Sequence, residues 1–181
     1  VRGNLAVLAA MSFLRGAHNS IYGVIWQPFV LSLGASMPTL GLLNSLGGMG
    51  GIVPTLMQPL GGWFADRLGR KPFILLASLA TIGGYGLFAI AGLLHVWVLL
   101  VLGVILLGAS ALSRPAISSL TAESVRAGRH GSAFSLMIVA GMTPGIIMPV
   151  LGGWVADRYN YSVVFAFSLI RKVLREFFLN Q

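Results

Sequence analysis

The sequence predicts an all-α integral membrane protein, six helices arranged as two three-helix repeats of opposite orientation, the sixth helix incomplete. Three observations predict it. Hydrophobic residues make up 56% of the 181 positions and charged residues only 9%, whereas a soluble domain carries about 25% charged residues. The apolar residues come in runs of roughly 20 or more, the length a helix needs to cross a bilayer. Finally, six of the seven residues in Gly61-Gly-Trp-Phe-Ala-Asp-Arg67 recur in Gly152-Gly-Trp-Val-Ala-Asp-Arg158, 91 positions further on. Helices are expected throughout because backbone groups in lipid must be satisfied within their own segment. No run shows the alternation of a barrel strand.

Five long apolar segments follow one another: residues 5–33, 39–65, 72–94, 96–122 and 131–156. The first is too long for a signal peptide and leads into further spans. A sixth begins near Tyr161 and meets Arg171 and Lys172 after ten residues, 161–170. Ten helical residues rise about 15 Å, half of a ~30 Å hydrocarbon core. Residues 171–181 read as a basic amphipathic tail suited to the membrane surface and to an end made by truncation. The chain opens on Val1, so upstream sequence is expected.

The net charge of +8 does not point to nucleic acid, because the basic residues sit between apolar runs. There they act as topology determinants at the anionic inner leaflet. Arg67, Arg70 and Lys71 lie between spans two and three, Arg126 and Arg129 between four and five, and Arg2 before span one. The opposite connections carry only Arg158. The positive-inside rule therefore places the N-terminus in the cytoplasm, with the plasma membrane as the expected location. On this topology the first Gly-Gly-Trp phrase ends span two inside and the second ends span five outside. Three spans separate them, so the repeat is inverted in the membrane.

Absences narrow the function. With no cysteine, disulfides, thiolate metal sites and cysteine nucleophiles are excluded. There is no HExxH and no mid-span pair of aspartates, and Gly108 to Ala111 reads as helix packing rather than a nucleophile elbow. The chain is not expected to be an enzyme, nor to need a cofactor.

Gly62, Asp66, Arg67, Gly69, Arg70 and Lys71 lie between spans two and three with fixed spacing. Gly69 allows a tight turn, Gly62 a close helix contact, and Pro72 suits the first turn of span three. Asp66 lies beside Arg67, and Glu123 at the inner end of span four is placed to pair with Arg67 or Arg70. Exposed pairs of this kind contribute about 0–1 kcal/mol.

This run resembles the signature loop of the major facilitator superfamily: Gly, three residues, Asp, Arg or Lys, one residue, Gly, Arg, then Arg or Lys. Every defining position matches. Ser113-Arg114-Pro115-Ala116, followed by Glu123 and Arg126, is similar to span four of that family. The resemblance covers residues 5–170 and implies the N-terminal six-span half of a transporter, the partner C-terminal half being absent from the chain. It implies a secondary active carrier of a small solute working by alternating access, with the loop network locking one conformation. In span five, Pro149, Gly152 and Gly153 match part of a motif of drug–proton antiporters, whereas Pro144 and Met148 stand where that motif has Gly. Efflux leads on this resemblance. An uptake carrier for an organic anion, and a six-span channel or inactive fragment, are the alternatives.

Polar residues inside the spans are the candidate pathway. Arg15, His18, Asn19, Tyr22 and Trp26 fall on one face of span one, and Ser110, Arg114, Ser118 and Thr121 on one face of span four. An Arg this deep costs about 2.5–3.5 kcal/mol to insert and usually faces a cavity or a partner. Two arginines facing a cavity suit an anionic or polar group of the solute. The other reading has Arg15 snorkelling to the inner interface and Arg114 bonding carbonyls freed by Pro115. All four acidic residues, Asp66, Glu123, Asp157 and Glu176, lie at span ends. His18 is thus the one mid-span group suited to carry a coupling proton, though a lone His in a span more often serves as a helix contact. Pro144 and Pro149 permit bending of span five, with Gly145 and Gly141 spaced for close packing, like Gly47 and Gly51 in span two.

Overall fold

A computed structural model describes residues 2–48, 50–68, 71–115, 117–119, 130–159 and 161, and these are helical apart from short turns. Span one is a single helix, Arg2–Ser32. It ends where Gly34 takes a φ of 82° and donates its N–H to the Leu31 carbonyl at 3.0 Å, a left-handed turn for which glycine has no Cβ penalty. Ser36 then caps the next helix, Met37–Gly47, accepting the Thr39 N–H, with Pro38 in its first turn.

Span two is expected as one helix over residues 39–65, and the structure breaks it. The helix Met37–Gly47 stops, and Ile52–Leu68 follows after a turn. Gly48 donates to the Asn44 carbonyl at 2.8 Å and Gly51 to the Gly48 carbonyl at 2.9 Å. Gly47, Gly48, Gly50 and Gly51 crowd this point, and each glycine costs a helix about 0.5–1 kcal/mol relative to alanine. Span three is the uninterrupted helix Lys71–Leu94. Span four starts as Val98–Ala109 and tightens into a 3₁₀ turn, Ser110–Ser113. Pro115 explains the change, because it has no N–H and its ring crowds the carbonyl four residues back. Span five is bent by 41°. His130–Met142 passes through a 3₁₀ turn, Thr143–Ile146, into Met148–Tyr159. Pro144 and Pro149 stand at this bend, as their chemistry requires.

Among the described residues, three helical stretches are long and apolar enough to cross a membrane, Met37–Phe64, Leu75–Leu94 and Val98–Ser119, and the bent pair of span five makes a fourth. Span one is longer, at 31 residues, but carries Arg15, His18 and Asn19 in its middle and is less apolar. The core lies where Ile25, Phe29 and Val30 of span one meet Leu40 and Leu43 of span two, Phe88 and Ala91 of span three, and Leu100 and Val104 of span four. Large apolar side chains such as Leu79, Leu93, Ile146 and Val150 point outward, which suits a lipid solvent as apolar as they are.

Since lipid supplies no hydrophobic drive between helices, close packing of small residues must hold them. Gly16 and Gly141 bring spans one and five into backbone contact, and a Cβ on Gly16 would collide with the Gly141 carbonyl. A Cβ on Gly61 would collide with the Leu112 carbonyl, and one on Gly152 would lie 3.0 Å from Ile21. The two phrases are therefore seated reciprocally. Gly61 and Gly152 differ by 91 positions, and so do their partners Ile21 and Leu112. Each repeat sets the end of its second helix against the first helix of the other repeat.

Gly69, Arg70, Thr121, Glu123, Arg126 and Arg129, residues 162–170 of the sixth span and the tail 171–181 lie outside the described residues.

Candidate transport pathway

The polar face of span one divides in two. His18, Tyr22 and Trp26 turn to spans two and three, while Arg15 and Asn19 are exposed. His18 Nε2 is hydrogen-bonded to the Tyr85 hydroxyl of span three, and the two rings meet edge-on, 5.0 Å between centroids. Tyr22 stacks on Trp26 at 5.5 Å, and Trp26 on Phe88 at 5.0 Å. The Trp26 indole N–H donates to Asn44 Oδ1 at 2.8 Å. Tyr85 and Trp26 are 8% and 6% exposed, so these polar tips sit in an apolar core and need the partners they have.

The spacing of span one brings out His18, Tyr22 and Trp26, but not Tyr85, Phe88 and Asn44. A signal for two of these existed. Tyr85 is the single tyrosine of span three, and Asn44 is the single amide of the first half of span two. Such residues in a span must find a partner.

Span four supplies exposed polar groups of its own. Arg114 and Ser118 are exposed, while the Ser110 hydroxyl turns back to the Leu107 carbonyl at 2.6 Å. Ser110 thus serves its own helix, absorbing a carbonyl at the 3₁₀ turn. The Ser113 hydroxyl does the same for the Ser110 carbonyl at 3.0 Å.

At the end of span two, the Arg67 guanidinium lies 4.2 Å from the centre of the Trp63 ring, a cation–π contact between neighbours one helical turn apart. Gly62 abuts the Pro115 ring of span four. Asp66 falls in the last turns of Ile52–Leu68, and Lys71 opens span three. The second copy presents Trp154, Asp157 and Arg158 around an open cleft. In span five Pro144 is buried and Pro149 half-buried, Gly145 lies beside Ser20, Gly152 beside Ile21, and Gly153 has open space around it.

Apolar helices broken at glycine and proline and joined through small-residue crossings, with polar groups exposed at mid-span, define an integral membrane protein. The family model described as Major Facilitator Superfamily matches residues 8–171, and the chain belongs to that family. The multi-drug resistance efflux pump PmrA of Streptococcus pneumoniae is 30% identical over 171 residues, 91% of this chain and 41% of the pump. The multidrug resistance protein MdtH of Klebsiella pneumoniae is 34% identical over 105 residues, 58% of this chain and 25% of that protein. The bovine solute carrier family 2, facilitated glucose transporter member 8, is 35% identical over 102 residues, 54% of this chain and 20% of the transporter. The chain thus spans about two fifths or less of these curated relatives.

Proposed function

We propose that the full-length protein is a secondary active transporter that exports a small solute by alternating access, and that this chain is its N-terminal six-span half. The reciprocal seating of Gly61 on Leu112 and Gly152 on Ile21 carries the reading. Seated on one another in this way, the two repeats make one body that can rock against the other half of the full-length protein. On this reading Arg15, Asn19, Arg114 and Ser118 border the solute route and meet the other half of the protein there. The loop at Asp66, Arg67 and Lys71 is the cytoplasmic latch. Its partners Gly69, Arg70 and Glu123 come from the sequence pattern. The N-terminus lies in the cytoplasm, as the distribution of Lys and Arg directs. The bilayer and the solute are the partners, with no nucleic acid among them.

Export is favoured over uptake because PmrA and MdtH carry efflux or multidrug-resistance names and because Pro149, Gly152 and Gly153 match part of an antiporter motif. The glucose transporter keeps uptake as the second reading. The test expresses the complete reading frame in cells stripped of their own drug pumps, preloaded with ethidium. Energised cells should lose the dye faster than vector controls, and Asp66→Asn should abolish most of the difference. Retention of ethidium together with accumulation of a labelled sugar or organic anion would select uptake. Neither activity would end the transporter reading.

A further inference from the structure

We infer that His18 and Tyr85 form a proton-binding site that couples solute movement to a proton gradient, with Trp26 and Asn44 relaying its state to the break in span two. The inference rests on the transporter reading above. Inside the spans of this half, titratable groups are scarce. The four carboxylates are at span ends, and of three histidines His95 lies in the outer connection and His130 at the start of span five. His18 alone is mid-span and of a type that exchanges a proton between about pH 5 and 8.

The structure gives that proton a place and a consequence. His18 is half-buried, and its Nε2 bonds the hydroxyl of the buried Tyr85. A neutral ring accepts the Tyr85 O–H through Nε2. When a proton adds to Nε2, that nitrogen can only donate. The Tyr85 hydroxyl keeps its own hydrogen but must turn it away and present its oxygen instead. Tyr22 faces both rings, at 6.4 Å from His18 and 6.3 Å from Tyr85 between centroids. Arg15 stands three residues earlier on the same helix, Arg114 on span four, and Asp157 and Arg158 near the outer end of span five.

A path leads onward from the pair. Tyr85 meets Phe88 at 6.1 Å, Phe88 stacks on Trp26, and Trp26 donates to Asn44. The backbone carbonyl of Asn44, distinct from the side-chain oxygen that Trp26 engages, holds the Gly48 N–H at 2.8 Å, where the helix ends and span two breaks. Reorientation of Tyr85 therefore acts on packed groups that reach the break between Met37–Gly47 and Ile52–Leu68.

Two measurements on the full-length protein in lipid test this. In ¹⁵N-histidine spectra, recorded without solute, the resonance that disappears in His18→Gln should titrate between about pH 5 and 8, and Tyr85→Phe should move its midpoint. In proteoliposomes, His18→Gln should lower accumulation of ethidium driven by a pH gradient about tenfold more than it lowers ethidium exchange without a gradient. A His18 resonance that stays fixed across that range overturns the inference. So does gradient-driven accumulation that survives His18→Gln, or an equal loss of both activities, which assigns His18 to the solute route alone. Parent protein that exchanges ethidium but ignores the pH gradient also overturns it, while leaving the transporter reading intact. Parent protein that exchanges no ethidium defeats the transporter reading, and the inference falls with it.

Discussion

Trp26 illustrates how far a single residue can be read before its neighbours are known. Helical spacing groups it with Arg15, His18, Asn19 and Tyr22, but packing separates the group. Toward the C-terminal end of span one, spans two and three cover the face and bury Trp26, while Arg15 and Asn19 are exposed among the described residues. Periodicity reports which residues share a face, and only tertiary packing decides what that face meets. The Trp26–Asn44 bond gives the first prediction. Trp26→Phe keeps most of the ring stack and loses the donor, Asn44→Leu loses the acceptor, and each leaves the other group short of a partner. Buried hydrogen bonds in membranes contribute about 0.6–2 kcal/mol, and the pair should be coupled by that order in a double-mutant cycle read by thermal unfolding. Strict additivity would show that the two side chains act independently. For Arg114, exposed beside the 3₁₀ turn, Arg114→Ala should weaken binding of an anionic solute and Arg114→Lys should restore part of it, since both carry charge but only arginine offers the bidentate fork. Unchanged binding in Arg114→Ala would assign that residue to its own helix.

Among the elements, the broken spans are where sequence and structure differ most, and each break has a local cause. Pro115 and Pro144 predict distortion of spans four and five, and both appear as 3₁₀ turns. The break in span two falls at a cluster of glycines, which read equally as close packing or as helix weakness, and Pro54 follows it in the first turn of Ile52–Leu68. Both occur there. A Cβ on Gly47 would collide with Val104, and the chain turns immediately afterwards. The helix crossings yield a graded prediction. Gly61→Ala meets a backbone carbonyl that cannot turn aside, and should destabilise by about 1–3 kcal/mol as overpacking does. Gly152→Ala meets the Ile21 side chain, which can move, and should cost less. Gly153→Ala meets open space and should fall within about 0.5 kcal/mol of the parent. Thermal unfolding in detergent measures all three. Equal effects at the three positions would show that the crossings are not where the repeats are held.

On the scale of the whole molecule, the repeated phrase is legible in the sequence, and so are the helical class and the polar mid-spans. The reciprocal contact was not, because a 91-residue offset in sequence does not say which surfaces meet. Its physical origin is the small size of glycine. Without a side chain at 61 and 152 the helix axes approach closely enough for each repeat to rest on the other. Two such units, inverted with respect to one another, are the central claim, and topology tests it directly. Leu68 and Tyr159 are equivalent under the 91-position shift, and the chain has no native cysteine. Single cysteines at these two sites can therefore be probed with a membrane-impermeant maleimide, in the full-length protein with any other cysteines replaced. Leu68→Cys should react only in inverted vesicles and Tyr159→Cys only in intact cells. Reaction of both from the same side of the membrane would contradict the inverted repeat.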